Sequence, residues 1–206
     1  MLHYRTINSK TLELLKKIQK IEIFNNLFLV GGTSLALQIG HRISIDLDFF
    51  GELNTDRQTI ISKLNKIGKV KTLSFTKNIN IFTIDDIKVD IVNYNYPWLN
   101  NCINSDNIRL AHKSDIAAMK ISAITGRGSM KDFIDLFYLL KQFSLKEILG
   151  FYEQKYSDAS IFLAIKSLTY FDDADKDIMP KMFDEINWES IKDEISKQVK
   201  NYITKN

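Results

Sequence analysis

The sequence predicts an α+β protein, a mixed or antiparallel sheet with flanking helices in the first half followed by a helical second half. Two observations carry this. Short apolar runs closed by glycine or aspartate pairs fill residues 27–92, and from Ser114 onward the apolar residues recur at helical spacing. A soft boundary falls near residue 110, giving domains 1–110 and 111–206, the second expected to pack on the first.

The elements follow in order. Leu12, Leu15, Ile18 and Ile21 with charges between them predict a first helix, for which Asn8 or Ser9 supplies the N-cap. Leu27-Phe28-Leu29-Val30 is a buried strand ending at Gly31-Gly32, and Thr33 to Ile39 is a short helix. From Ser44 to Phe50, Ile45, Leu47 and Phe49 alternate with Ser44, Asp46 and Asp48, so a strand there has one apolar and one acidic face. Asp56 to Ile67 reads as a helix and Val70 to Thr76 as a strand. Ile79 to Ile84 and Ile87 to Val92 form a hairpin across Asp85-Asp86. Strand signals stop around Pro97-Trp98. Helices are then expected at Ser114 to Thr125, Met130 to Phe143, Leu145 to Tyr156, Asp158 to Phe171 and Trp188 to Ile203.

The 206 residues, 45% hydrophobic and 26% charged, exclude disordered and fibrous classes, and no apolar run is long enough for a membrane span. The N-terminus shows no signal-peptide core, and a cytoplasmic location is the expectation. Cys102 is the single cysteine, so neither a disulfide within the chain nor a cysteine-rich zinc site is expected. The net charge is +3. Residues 1–110 carry 14 Lys and Arg against 10 Asp and Glu, a slight excess that permits an anionic partner without demanding one.

Asp46 and Asp48, two apart on a strand, project their carboxylates from one face, where they repel unless a cation lies between them. Asp90 faces away from Ile87, Val89 and Ile91, and joins the pair if its strand is the neighbour. Three carboxylates on adjacent strands suit Mg²⁺-assisted phosphoryl chemistry, with two ions about 3.5–4 Å apart activating a hydroxyl and stabilising pyrophosphate. A lone D-x-D is more often a solvent-facing pair. Gly31-Gly32-Thr33-Ser34, between a strand and a helix, lets the backbone approach a phosphate, although a turn with a Ser or Thr cap explains it as well. It is the combination that points to a site.

The run GGTSLALQIGHRISIDLDFF, Gly31 to Phe50, resembles the nucleotidyltransferase superfamily, and its R-x-S-x-D-L-D-F portion is similar to the AbiEii/AbiGii toxin family. The resemblance implies a nucleotidyltransferase-fold sheet followed by a helical bundle. By it, Gly31, Gly32 and Ser34, with Thr33 beside them, hold a nucleoside triphosphate, while Asp46, Asp48 and Asp90 hold the metals. KISAITGRGSMKDFIDLFYLL resembles the family's K…R…RD-x-x-DL arrangement, which brings in Lys120, Arg127, Asp132 and Asp135. A helix continuing from Lys120 to Arg127 sets both cations on one side. Asp132 has the capping-box position after Ser129, so Asp135 is preferred as the site carboxylate. Arg42 neutralises phosphate or pairs with an aspartate, and Ser44 contacts phosphate or a carboxylate. Tyr170 and Phe171 are expected to pack, beside a solvated acidic loop.

The implied reaction is Mg²⁺-dependent transfer of a nucleoside monophosphate from an NTP to a hydroxyl, with Asp90 orienting or deprotonating the acceptor and Lys120 gripping the triphosphate. The family also implies the toxin of an abortive-infection or toxin–antitoxin system with a cognate antitoxin, and an RNA acceptor, first of all the 3′ end of tRNA. A nucleotide-binding regulatory protein without transfer activity, and an enzyme modifying a protein or small molecule, remain the alternatives.

Overall fold

Seven strands form one mixed sheet in the structure, a computed structural model that describes residues 1–205. They are β1 (Leu27–Val30), β2 (Leu47–Gly51), β3 (Val70–Phe75), β4 (Ile79–Ile84), β5 (Ile87–Asn93), β6 (Ile103–Ser105) and β7 (Ile108–Leu110), in the order β3-β4-β5-β2-β1-β7-β6. The helices are α1 (Ser9–Gln19), α2 (Gly31–Ile39), α3 (Arg57–Leu64), α4 (Lys113–Gly126), α5 (Met130–Leu140), α6 (Leu145–Lys155), α7 (Ile161–Ser167) and α8 (Trp188–Lys205). The chain divides into two compact units: Met1–Tyr96 with Cys102–Ala111, and Pro97–Asn101 with everything from His112 onward.

In the first unit, β2 runs parallel to β5 and β1 parallel to β7, while the other neighbours are antiparallel. One sheet face is the core. Leu27, Leu29, Leu47, Phe49, Phe82, Val89 and Ile91 pack there against Leu14, Leu15 and Ile18 of α1, Leu37 of α2, and Ile60 and Leu64 of α3. Each such side chain contributes about 1.5–3 kcal/mol by leaving water. The amphipathic spacing along α1 therefore has its use, and Asn8 caps the helix by accepting from the Thr11 N–H. The β4–β5 hairpin turns at Asp85 and Asp86, with φ of 48° and 67°, as a two-residue turn with both central residues left-handed demands.

Two expectations for this unit need correction. The acidic strand begins at Leu47 rather than Ser44, and Ile45 is 53% exposed instead of facing the core. Residues 42–46 bond elsewhere: the Ser44 N–H donates to the Thr6 carbonyl and the Thr33 hydroxyl to that of Asp46. The sheet also continues past Pro97, because β6 and β7 pair across Asp106 and Asn107, both at positive φ. Strands of three residues are too short to show alternation.

The second unit is built round α4, whose Ala117 and Ala118 are fully buried. At one end of α4, Asp115 and Lys155 form an ion pair at 2.7 Å with both side chains inaccessible. Lys155 Nζ also donates to the Pro97 carbonyl and lies 4.7 Å above the Trp98 ring, while Asp115 accepts from the Leu99 and Asn100 N–H groups. This network places Pro97–Asn101 with the helical unit. Farther on, α7 is shorter than the expected Asp158 to Phe171 helix, beginning after the N-cap Ser160. Phe171 packs against Phe133 and Trp188, but Tyr170 is exposed. The acidic loop is bonded as well as solvated, since Asp175 accepts from Trp188 Nε1 and Lys192; beyond it, Asp184 accepts from the Tyr138 hydroxyl.

Removing one member of a buried ion pair leaves the other charge uncompensated, so Lys155→Met is expected to cost about 3–5 kcal/mol. Urea unfolding at neutral pH measures it, and an unchanged midpoint refutes the role given to this network.

Candidate active site

β1 ends at Val30 and the chain turns directly into α2, with Gly31 at φ +65°. That conformation favours glycine, and the space demands it too. A Cβ on Gly31 would overlap Asp48 Oδ2, and one on Gly32 would overlap Arg42 Nη2 and lie 3.4 Å from Ser44 Oγ. The two glycines therefore admit Asp48, Arg42 and Ser44 to the start of α2, where the unsatisfied N–H groups of a helix favour negative charge.

Thr33 and Ser44 are joined by a hydroxyl–hydroxyl hydrogen bond of 2.8 Å, so the helix is tied to the segment leading into β2. Arg42 is buried and donates from Nη1 to the Ile43 carbonyl at 3.1 Å. Ser34 is fully buried, and its Oγ accepts from Gln38 Nε2 at 3.2 Å. Thr33, Arg42 and Ser44 thus gather with the two glycines, whereas Ser34 bonds along its own helix.

The parallel β2–β5 pairing sets Asp48 directly opposite Asp90, on the sheet face away from the core. Asp46 immediately precedes β2 and lies outside the ladder. Lys88 shares the face of Asp90 and contacts both of its carboxylate oxygens at 2.7 Å. Sequence reasoning passed over Lys88, although its spacing of two residues from Asp90 on a strand was the available signal. It also passed over the aromatic row on this face, where the Phe50 and Tyr94 ring centroids are 5.2 Å apart, as are those of Tyr94 and Tyr96.

In the helical unit, Lys120 is buried between two carboxylates, 2.8 Å from Asp132 and 2.7 Å from Asp135. Both aspartates meet the lysine, so the expected choice of one over the other does not arise from this geometry. The capping box is absent. Ser129 Oγ donates to Asp132 Oδ2 at 2.6 Å, and the first N–H of α5, on Met130, is capped by Asp177. Burial alone raises the Asp132 pKa, but the charge and hydrogen bond of Lys120 and the bond from Ser129 outweigh it and hold the group below the ordinary value. Arg127 does not continue the helix of Lys120: α4 ends at Gly126, and Arg127 is 78% exposed with Nε 3.8 Å from Asp132.

Asp46, Asp48 and Asp90 offer hard oxygen donors, and the paired register of Asp48 and Asp90 fits a divalent cation such as Mg²⁺. Among the described residues no three His, Cys, Asp or Glu side chains are grouped closely enough to hold an ion. The carboxylate of Asp90 is engaged by Lys88 instead. The donors fit in kind, and their use requires Lys88 to yield.

Residues 13–201 match the family described as nucleotidyl transferase AbiEii toxin, type IV TA system. The chain is 35% identical over 205 residues to an uncharacterised protein of Aquifex aeolicus strain VF5, covering 97% of this chain and 98% of that protein. Its fold is similar to the crystal structure of JHP933 from Helicobacter pylori, with a TM-score of 0.61, 16% identity, and coverage of 97% of this chain and 94% of that one. It is also similar to MenT4, a nucleotidyltransferase toxin of Mycobacterium tuberculosis H37Rv, with a TM-score of 0.56, 12% identity, and coverage of 94% and 86%. At these identities the two structures establish the fold.

Because the Asp132 pKa is lowered in the folded protein, its stabilising contribution is present above the unfolded value of about 3.9 and is lost as pH falls through the folded value. Asp132→Asn is therefore expected to be less stable than wild type at pH 7, with the gap narrowing on acidification. Urea midpoints on either side of pH 4 check this; a gap independent of pH contradicts it.

Proposed function

The chain belongs to the AbiEii nucleotidyltransferase toxin family and is a nucleotidyltransferase; from that premise we propose that it transfers a nucleoside monophosphate from an NTP to a hydroxyl of RNA, the 3′ end of tRNA being the first candidate. The observation that carries the reading is Asp48, set beside Asp90 by the β2–β5 register and admitted to the start of α2 by Gly31.

Each group has a chemical task. The N–H groups at the start of α2 and the guanidinium of Arg42 favour the triphosphate oxygens, and Gly31 and Gly32 leave the room in which Asp48 and Arg42 reach that helix start. Thr33 and Ser44 fix the segment that presents Asp46 and Asp48. Asp90 orients the acceptor hydroxyl and takes its proton as the oxygen–phosphorus bond forms and pyrophosphate leaves. Asp46, Asp48 and Asp90 would hold Mg²⁺, which when bound supplies Lewis-acid stabilisation of charge on the phosphate oxygens. In the helical unit Lys120 is the candidate phosphate-binding cation, with Asp132 and Asp135 fixing its ammonium and Arg127 presenting a second charge to solvent. Positioning and electrostatics supply the rate enhancement.

The family also supports a cellular role as the toxin of a type IV system, opposed by a cognate antitoxin. No helix among the described residues is long and apolar enough to cross a membrane.

Purified protein incubated with each labelled NTP, Mg²⁺ and total RNA is expected to label RNA, and Asp48→Ala and Lys120→Ala to lose at least about 10²-fold in rate. Label on protein or on a small molecule refutes the RNA acceptor, binding without transfer supports the regulatory alternative, and full activity in both variants refutes the site. Lys88→Met removes the cation that competes for Asp90 and is expected to tighten Mn²⁺ binding about 10-fold, measured by calorimetry without nucleotide. Unchanged affinity would mean that Lys88 does not compete.

A further inference from the structure

Between Asp56 and Asp85 the chain carries Arg57, Lys63, Lys66, Lys69, Lys71 and Lys77 and not one Asp or Glu. The overall charge of +3 conceals this segment. Among the described residues none of these six cations makes an ion pair, and all except the half-buried Lys63 are exposed. Arg57 lies 4.4 Å above the Phe75 ring, with Leu73 exposed on the same strand. Lysines on an edge strand discourage sheet-to-sheet pairing, and that explains Lys71. It does not explain Lys63, Lys66, Lys69 or Lys77, which lie outside β3.

The sheet connects this basic edge to the carboxylates. Across the face away from the core, Asp48, Asp90, Ile81 and Ser74 stand in register on β2, β5, β4 and β3, and Lys88, Thr83 and Lys71 form the next row. With strands about 4.8 Å apart, the backbone at Ser74 lies about 14 Å from that at Asp48. On the other side of the carboxylate row lie Phe50, Tyr94 and Tyr96, the last 42% exposed. A single nucleic-acid strand needs cations along its phosphates and aromatic faces for its bases; on this face Lys71 stands at the outer edge and the aromatic row beside Asp48, while Arg57, Lys63 and Lys66 continue the positive charge round that edge on the side of α3.

We propose that this sheet face, continued round the β3 edge by the basic segment 57–77, is the surface that receives the single-stranded end of the RNA acceptor. The proposal rests on the RNA reading above. Charge complementarity selects a polyanion, and the aromatic row next to the carboxylates selects one with bases. Phosphates pass over Lys71, Lys69 and Lys66 while terminal bases stack toward Tyr96.

The test is fluorescence anisotropy of a labelled single-stranded RNA of about 20 nucleotides, titrated with wild type, Lys66→Ala/Lys69→Ala/Lys71→Ala and Tyr96→Ala over a series of salt concentrations. The triple variant is expected to lose at least about 10-fold in affinity at about 50 mM salt, and its slope of log K against log salt to fall by about two, the value for three lost contacts. Tyr96→Ala is expected to lose about 10-fold with its salt slope unchanged, since stacking releases no counterions. Wild-type affinity and slope in the triple variant would overturn the proposal, as would binding of anionic lipid vesicles without binding of RNA. Transfer assays run at limiting RNA separate the two levels. If wild type labels protein instead of RNA, the acceptor reading fails and this surface with it; if wild type and the triple variant label RNA equally well, only the surface is wrong.

Discussion

Parallel pairing of β2 with β5 forces two carboxylates, Asp48 and Asp90, into adjacent positions on one sheet face. Like charges so placed raise each other's cost of ionisation unless cations or oriented N–H groups answer them. Much of the neighbouring structure is such an answer. Lys88 binds Asp90 through both oxygens, Arg42 is buried beside Gly32, and Asp48 is brought to the beginning of α2, where the helix dipole is favourable to it. The glycines follow from the same constraint, because a side chain on either would occupy the volume taken by the groups they admit.

The helical unit solves a related problem with the signs reversed. A single lysine is withdrawn from water between Asp132 and Asp135, and Ser129 orients one of those acids. The ammonium is thereby fixed to within a hydrogen bond from two directions. Such an arrangement preserves the position of a charge at the expense of its freedom.

Much of this was legible in the sequence where chemistry and periodicity coincide. Val89 and Ile91 point inward and Asp90 outward because strands alternate, and the Asp85-Asp86 turn announced the hairpin that brings β5 beside β4. The strand neighbours were less legible. Nothing local states that β5 lies next to β2, since that pairing joins residues some forty positions apart, and only the resemblance over Gly31 to Phe50 made it an expectation. The missed features share a cause. Lys88 is an ordinary lysine until its partner's position is known, the three-residue strands β6 and β7 have too few residues for a pattern, and the end of α4 at Gly126 took Arg127 off the face that uninterrupted helical spacing assigned to it.

The route of the chain between its units limits how the protein can be dissected. The polypeptide enters the helical unit at Pro97, leaves it after Asn101 to complete the sheet with β6 and β7, and returns at His112. A fragment started at residue 112 would lack the Pro97 carbonyl, the Trp98 ring and the amides of Leu99 and Asn100, all of which engage Lys155 or Asp115. One cut cannot separate the units cleanly, and a domain expressed from such a boundary would begin life with a charged pair stripped of most of its companions.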